Sequence, residues 1–103
     1  MIASKSFQVQ GGQAVNVLAV NLFNDEQLIV RYAVDVGCTP KEAEYTDYIE
    51  DGEEVVVSST HNPITLWRPG WYKLVPNGWV NDEVQVHVSQ PFPVHIQHSI
   101  QNV

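Results

Sequence analysis

The feature that most constrains this chain is the alternation of apolar and polar side chains, interrupted at short intervals by turn residues. The clearest example is the run Val84 to Val88, where three valines alternate with Gln85 and His87. A period of two places successive side chains on opposite faces of a β-strand, whereas an amphipathic helix needs a period near 3.6. The chain is therefore predicted to consist of strands, most of them with one apolar face.

Turn residues divide the sequence into about eight strands of ordinary length and one shorter strand. The predicted strands cover residues 7–10, 15–23, 28–36, 45–49, 53–59, 64–67, 71–75, 83–89 and 94–100. Asp51-Gly52 is a hairpin-type turn signal, and Pro91-Phe92-Pro93 is expected to break the strand before it. The only helix-compatible stretch, 39–44, is long enough for about one turn.

Strands without intervening helices predict an all-β fold, either an antiparallel sandwich or a barrel. The 103 residues fit one domain and are too few for two, so residues 1–103 are predicted to form a single β-sandwich domain. About eight strands fit a jelly roll best and an immunoglobulin-like sandwich second. Strand count does not distinguish the two topologies.

The charge of the chain bears on its partners. The formal net charge is −7, and the five basic residues are scattered along the sequence. Nucleic-acid binding and anionic membrane surfaces are therefore not expected, because both require clustered Lys and Arg. No signal peptide and no apolar stretch of membrane-spanning length is visible, so the protein is expected to be made in a cytoplasm. The single cysteine, Cys38, allows no intrachain disulfide.

The sequence contains no nucleophile elbow, phosphate loop or zinc signature, so no enzyme, cofactor or metal site is predicted. The acidic residues between 42 and 54 are interpreted as a solvated face. His95 and His98 have the spacing H-x-x-H, which on a strand puts them on opposite faces and argues against a shared metal ion. A small cupin-like enzyme remains as a third hypothesis; it requires three or four ligands converging inside a barrel.

Two surfaces are candidates for binding. The first is a polar face, interpreted as a subunit contact, a sugar-binding face, a weak metal site or simply solvated strand positions; it comprises Gln85, His87, His95 and Gln97. The second is an aromatic stretch in which Trp67 and Tyr72 are predicted to face each other across a Pro69-Gly70 hairpin. Such rings serve as interface anchors or sugar platforms, or they cap a small core; this stretch comprises Trp67, Trp71, Tyr72 and Trp79.

The segment Leu66-Trp67-Arg68-Pro69-Gly70-Trp71-Tyr72-Lys73-Leu74 resembles stretches of bacterial surface modules and of small tailed-phage virion proteins. An acidic, Cys-poor, all-β chain that starts at its own Met is also similar to phage capsid decoration (cement) proteins. This resemblance implies a non-enzymatic virion structural protein, made in the host cytoplasm, that stabilises a capsid as a dimer or trimer. The alternatives are a carbohydrate- or receptor-binding module and a cytoplasmic location.

Overall fold

The computed structural model describes residues 3–34, 37, 39 and 43–94, and within them the chain is all-β with antiparallel pairing throughout. This confirms the predicted fold class. Residues 40–42 of the predicted helical turn lie outside the described residues. The strands are β1 (Phe7–Val9), β2 (Gln13–Val20), β3 (Leu28–Ala33), β4 (Thr46–Asp47), β5 (Ile49–Glu50), β6 (Glu53–Glu54), β7 (Val56–Val57), β8 (Ile64–Leu66), β9 (Gly70–Pro76), β10 (Gln85–Val88) and β11 (Phe92–Pro93).

Two main sheets share one hydrophobic core, in the arrangement of a sandwich. In the first sheet β9 lies between β1 and β3, and the far edge of β3 pairs with β4 and β7. In the second sheet β2 is central, with β10 and β11 on one edge and β8 on the other. Burial of their facing apolar side chains stabilises the fold; the buried cluster includes Val15, Val17, Leu28, Val30, Leu66, Tyr72 and Leu74.

An aromatic group fills the part of the core under β3 and β9. The rings of Tyr32, Tyr48 and Tyr72 lie 5.1 to 5.4 Å apart, and Phe7 stacks on Tyr72 at 5.8 Å. Burial raises the pKa of Tyr72, and burial together with its hydrogen bond to Glu50 raises the pKa of Tyr48. These hydroxyls are therefore structural donors; that of Tyr72 donates to the Arg68 carbonyl at 2.6 Å.

The predicted hairpin at Asp51-Gly52 is confirmed. Both residues have positive φ, 53° and 80°, as a two-residue type I′ turn requires. The hairpin β5–β6 lies between β4 and β7, which both pair with β3. At its base Tyr48 and Val55 both bond to the backbone of Val30, so the hairpin projects from this point of the sheet. It carries much of the acidic charge, and Glu53 and Glu54 are exposed on it.

The strand that starts at Gln85 ends at Val88, before the prolines, as predicted. The chain then pairs again with the same edge of β2 after a shift of one residue, because Val88 lies opposite Val17 and Phe92 opposite Ala14. This offset of one residue is that of a β-bulge between β10 and β11. Proline fits such an edge strand, where its missing N–H faces outward. Of the predicted strand 94–100, only Val94 is described; residues 95–103 lie outside.

The Pro69-Gly70 turn is not a hairpin, so the predicted facing of Trp67 and Tyr72 is wrong. Strand β8 pairs with β2, whereas β9 pairs with β1 and β3, and the turn therefore crosses from one sheet to the other. Gly70 has φ 151° and is buried against the first sheet. A Cβ there would lie 2.5 Å from the Tyr32 ring and 2.7 Å from the Ala33 carbonyl oxygen.

Gly70→Ala is therefore expected to destabilise the protein by at least about 3 kcal/mol, because both the backbone angle and the space are wrong for a side chain. The matched control is Gly12→Ala, at φ 79° with open space around the position, for which about 1 kcal/mol is expected. Urea unfolding monitored by tryptophan fluorescence measures both. Equal losses for the two variants would contradict the close packing at Gly70.

Candidate functional site

Two loops at one end of the sandwich are joined by a dense set of hydrogen bonds, and we call residues 21–27 and 77–83 the loop pair. The first loop connects β2 to β3 and the second lies between β9 and β10, so each crosses from one sheet to the other. Asn77 bonds to Gln27 through both its backbone and its side chain, at 3.0 and 3.3 Å. The Asn21 amide donates to the Glu83 carbonyl at 3.2 Å.

The centre of the loop pair is the carboxylate of Glu26, which is 2% exposed. One oxygen accepts from the backbone N–H of Phe23 at 2.9 Å and from the Asn81 side-chain amide at 2.7 Å. The other accepts from the backbone N–H of Asn81 at 2.7 Å. Asn81 also donates to the Asn21 carbonyl and accepts from the Glu83 N–H. A buried charge is tolerated only when donors of this kind satisfy it.

This environment keeps Glu26 ionised. Burial by itself would raise the pKa of the carboxyl, but the backbone hydrogen bonds from Phe23 and Asn81 outweigh burial, and the pKa of Glu26 lies below its ordinary value of 4.5. The side-chain amide of Asn81 lowers it further. The carboxylate is fully engaged in these bonds, which makes it a structural staple between the two loops.

The loop pair presents two large aromatic side chains to solvent. Trp79 is 77% exposed and Phe23 is 56% exposed. The neighbours of each are fixed: Val80 is buried in the core, Leu22 packs against it, and the backbones of Phe23 and Asn81 bond to the same carboxylate. The two rings are thus carried on backbone that is anchored by these contacts, and an anchored backbone lowers the entropic cost of binding.

The predicted aromatic stretch is not one surface. Trp67 precedes β9 and is 49% exposed, Trp79 follows β9, and the seven-residue strand between them is about 20 Å long. Tyr72 is fully buried in the core. Trp71 is half-buried, and its indole N–H is buried without a hydrogen-bond partner among the described residues. Of the four predicted residues, Trp79 alone belongs to the loop pair.

The polar face is described only in part. Gln85 and His87 are exposed on β10, on the side of the strand opposite the buried Val84. His95 and Gln97 lie outside the described residues. Among the described residues, no group of three or more His, Cys, Asp or Glu side chains is arranged to hold a metal ion.

Sequence reasoning missed Phe23 and Glu26. Phe23 ends the apolar run from Val15, and this run predicts a strand that includes Phe23. In the structure β2 ends at Val20, because the positive φ of Asn21, 67°, turns the chain out of the strand. Glu26 follows Asn24 and Asp25, and such a polar run is typical of a solvated turn. The available signal was Phe23 itself, a bulky apolar residue placed directly before that polar turn.

Comparison with known proteins gives no relative: no protein-family model, no curated protein and no solved structure matches the chain. No stretch of the described residues forms an apolar helix long enough to cross a membrane.

Glu26→Gln is expected to lower stability at neutral pH and to flatten its dependence on acid. Because folding lowers the pKa of Glu26, its contribution is full above about pH 4.5 and is lost as the pH falls through the folded-state value. Urea midpoints measured from pH 7 to pH 3 test this. Glu54→Gln, on the exposed hairpin, is the matched control; an acid dependence of Glu26→Gln as steep as that of this control would contradict the role of Glu26.

Proposed function

We propose that this protein is a non-enzymatic virion structural protein of the capsid decoration type, which binds capsid subunits through the loop pair. The observation that carries the proposal is Trp79, 77% exposed on a loop whose neighbouring residues are anchored. Tryptophan is the residue most enriched among binding hot spots, and exposure of a large ring on rigid backbone is typical of an interface anchor. Phe23, on the other loop of the pair, is also exposed.

The surface chemistry supports assembly on another protein. The fold is all-β, the net charge is −7, and only 17% of the residues are charged. A weakly charged polar surface around exposed aromatic side chains resembles the rim and core of a protein–protein interface. The net negative charge favours encounter with a capsid surface that carries basic residues.

A carbohydrate-binding module is the second candidate. It is favoured by the exposure of two indole rings, Trp67 and Trp79, since flat aromatic faces stack on sugar rings. The two rings lie at opposite ends of β9, so a single glycan platform would use only one of them. Protein assembly accounts better for the exposure of both Trp79 and Phe23 on the loop pair.

Trp79→Ala is expected to weaken capsid binding at least 30-fold, as for a hot-spot residue, and to change the free energy of unfolding by less than about 0.5 kcal/mol. Trp67→Ala, which removes an exposed indole outside the loop pair, is the matched control and should bind as the wild type does. Co-sedimentation with capsids assembled from the major capsid protein of the same genome measures the binding.

Two results would contradict the proposal. One is a wild-type chain that fails to co-sediment with those capsids, and the other is a Trp79→Ala variant that binds as tightly as the wild type. A glycan array on the same three proteins tests the second candidate. Glycan binding that depends on Trp67 or Trp79, without capsid binding, would establish the carbohydrate-binding module instead.

A further inference from the structure

Strand β10 has an open outer edge beside an apolar groove. The Ser89 N–H donates to Asn16, so by alternation Gln85 and His87 direct their backbone groups to β2, whereas Val86 and Val88 direct theirs outward. No described strand pairs with this outer edge. The groove, of about 890 Å³, runs between β10 and the segment 3–7 of the first sheet; its apolar lining comes from Phe7, Val84, Val86 and Val88.

The same edge is closed farther along the chain. The Val94 N–H donates to the Gly12 carbonyl, so by alternation position 93 would direct its N–H group outward. This position is proline, which has no N–H to donate, and Pro91 lies at the one-residue shift between the two strands. Prolines of this kind protect an edge from added strands. The outer edge can therefore accept a strand along β10 but not along β11.

The segment that follows β11, residues 95–103, has the pattern of a strand that would fit this groove. Ile96, His98 and Ile100 fall on one face, and His95, Gln97 and Ser99 on the other. An added strand of this pattern pairs its backbone with β10 and directs Ile96 and Ile100 between the two sheets, with His98 between them, as in β-strand addition.

The segment cannot fill the groove of its own chain as a hairpin. If the chain turned back directly after Val94 with a two-residue turn, residues 97–103 would lie opposite residues 94–88, so none of them would reach Val86. That pairing would also run along Pro91 and Pro93, where donors are missing. A second copy of the chain has neither restriction.

We propose that residues 95–103 of one copy add as a strand to the outer edge of β10 in a second copy, with Ile96 and Ile100 in the groove. The backbone N–H and C=O groups of Val86 and Val88 form the new hydrogen bonds. This self-association uses the β10 edge rather than Phe23 and Trp79, so it stands independently of the proposed capsid contact. Reciprocal exchange gives a closed dimer, the commonest symmetric assembly.

Sedimentation velocity of the full chain at concentrations up to about 1 mM measures the association. Ile96→Asp with Ile100→Asp puts charge on the apolar face of the segment and is expected to raise the dissociation constant at least tenfold. Gln97→Asp with Ser99→Asp adds the same charge to the opposite face and is the matched control, for which a change of less than threefold is expected.

A second pair of variants tests the acceptor edge. Val88→Pro removes an outward N–H and leaves the bonds to β2 intact, and it is expected to abolish association. Thr65→Pro is the matched control, because Thr65 also directs its N–H away from β2. The Asn62 side chain, in line with β8, bonds to the backbone of Ala19, so Ala19 faces β8. Thr65 lies opposite Asn16, which is three residues from Ala19 and by alternation faces the other way. This variant should associate as the wild type does.

Mixed-label NMR separates exchange between copies from folding back. A spin label at Ser99→Cys, on the face that points away from the groove, in a Cys38→Ser background without isotope, should broaden the Val86 and Val88 amides of a separate ¹⁵N-labelled chain. The proposal is overturned if the wild type is monomeric at 1 mM, or if the two aspartate pairs raise the dissociation constant equally. It is also overturned if Val88→Pro associates normally, or if the spin label broadens the Val86 and Val88 amides only within one chain. None of these results depends on capsid binding by Trp79.

Discussion

The buried carboxylate of Glu26 is the interaction on which the end of the sandwich that carries the candidate site depends. It accepts hydrogen bonds from two loops that each cross between the sheets, and it is satisfied by donors from Phe23 and Asn81. Removing such donors leaves a buried charge unpaired, which costs far more than one exposed bond is worth. The carboxylate therefore joins the two loops at this end of the sandwich.

The exposed surface is determined by that constraint. Val80 and Asn81 are buried, whereas Trp79, directly before them, projects into solvent. Exposed apolar area is informative when it is large and contiguous rather than scattered. The loop pair combines two exposed rings with backbone that is ordered by buried polar contacts, and this combination is what a binding anchor requires.

The sequence predicted the local features and missed the long-range ones. Period two identified nearly all the main strands, and Asp51-Gly52 identified the hairpin, because both signals lie within a few residues of the structure they form. Pairing partners are not encoded in this way: alternation in β8 and β9 shows which side chains are buried but not that the strands belong to different sheets. Trp67 and Trp79 therefore seemed to form one cluster, although β9 separates them.

The candidate site was hidden from sequence reasoning for the same physical reason. Glu26 lies in a polar turn that is indistinguishable from a solvated one, and its decisive donor, Asn81, is distant along the chain. The prolines at 91 and 93 were correctly identified as disruptive to a β-ladder. They interrupt the ladder after Val88, but the chain pairs with β2 again at Phe92, one residue out of register.

Amide hydrogen exchange at Phe23 and Asn81 measures how firmly the Glu26 carboxylate joins the two loops, because both N–H groups lie in loops and bond only to this carboxylate in the structure described. Both amides are expected to be protected nearly as well as those of the β3–β9 ladder, and Glu26→Gln is expected to remove this protection. Exchange of the wild-type amides as fast as in the exposed Asp51-Gly52 turn would contradict it.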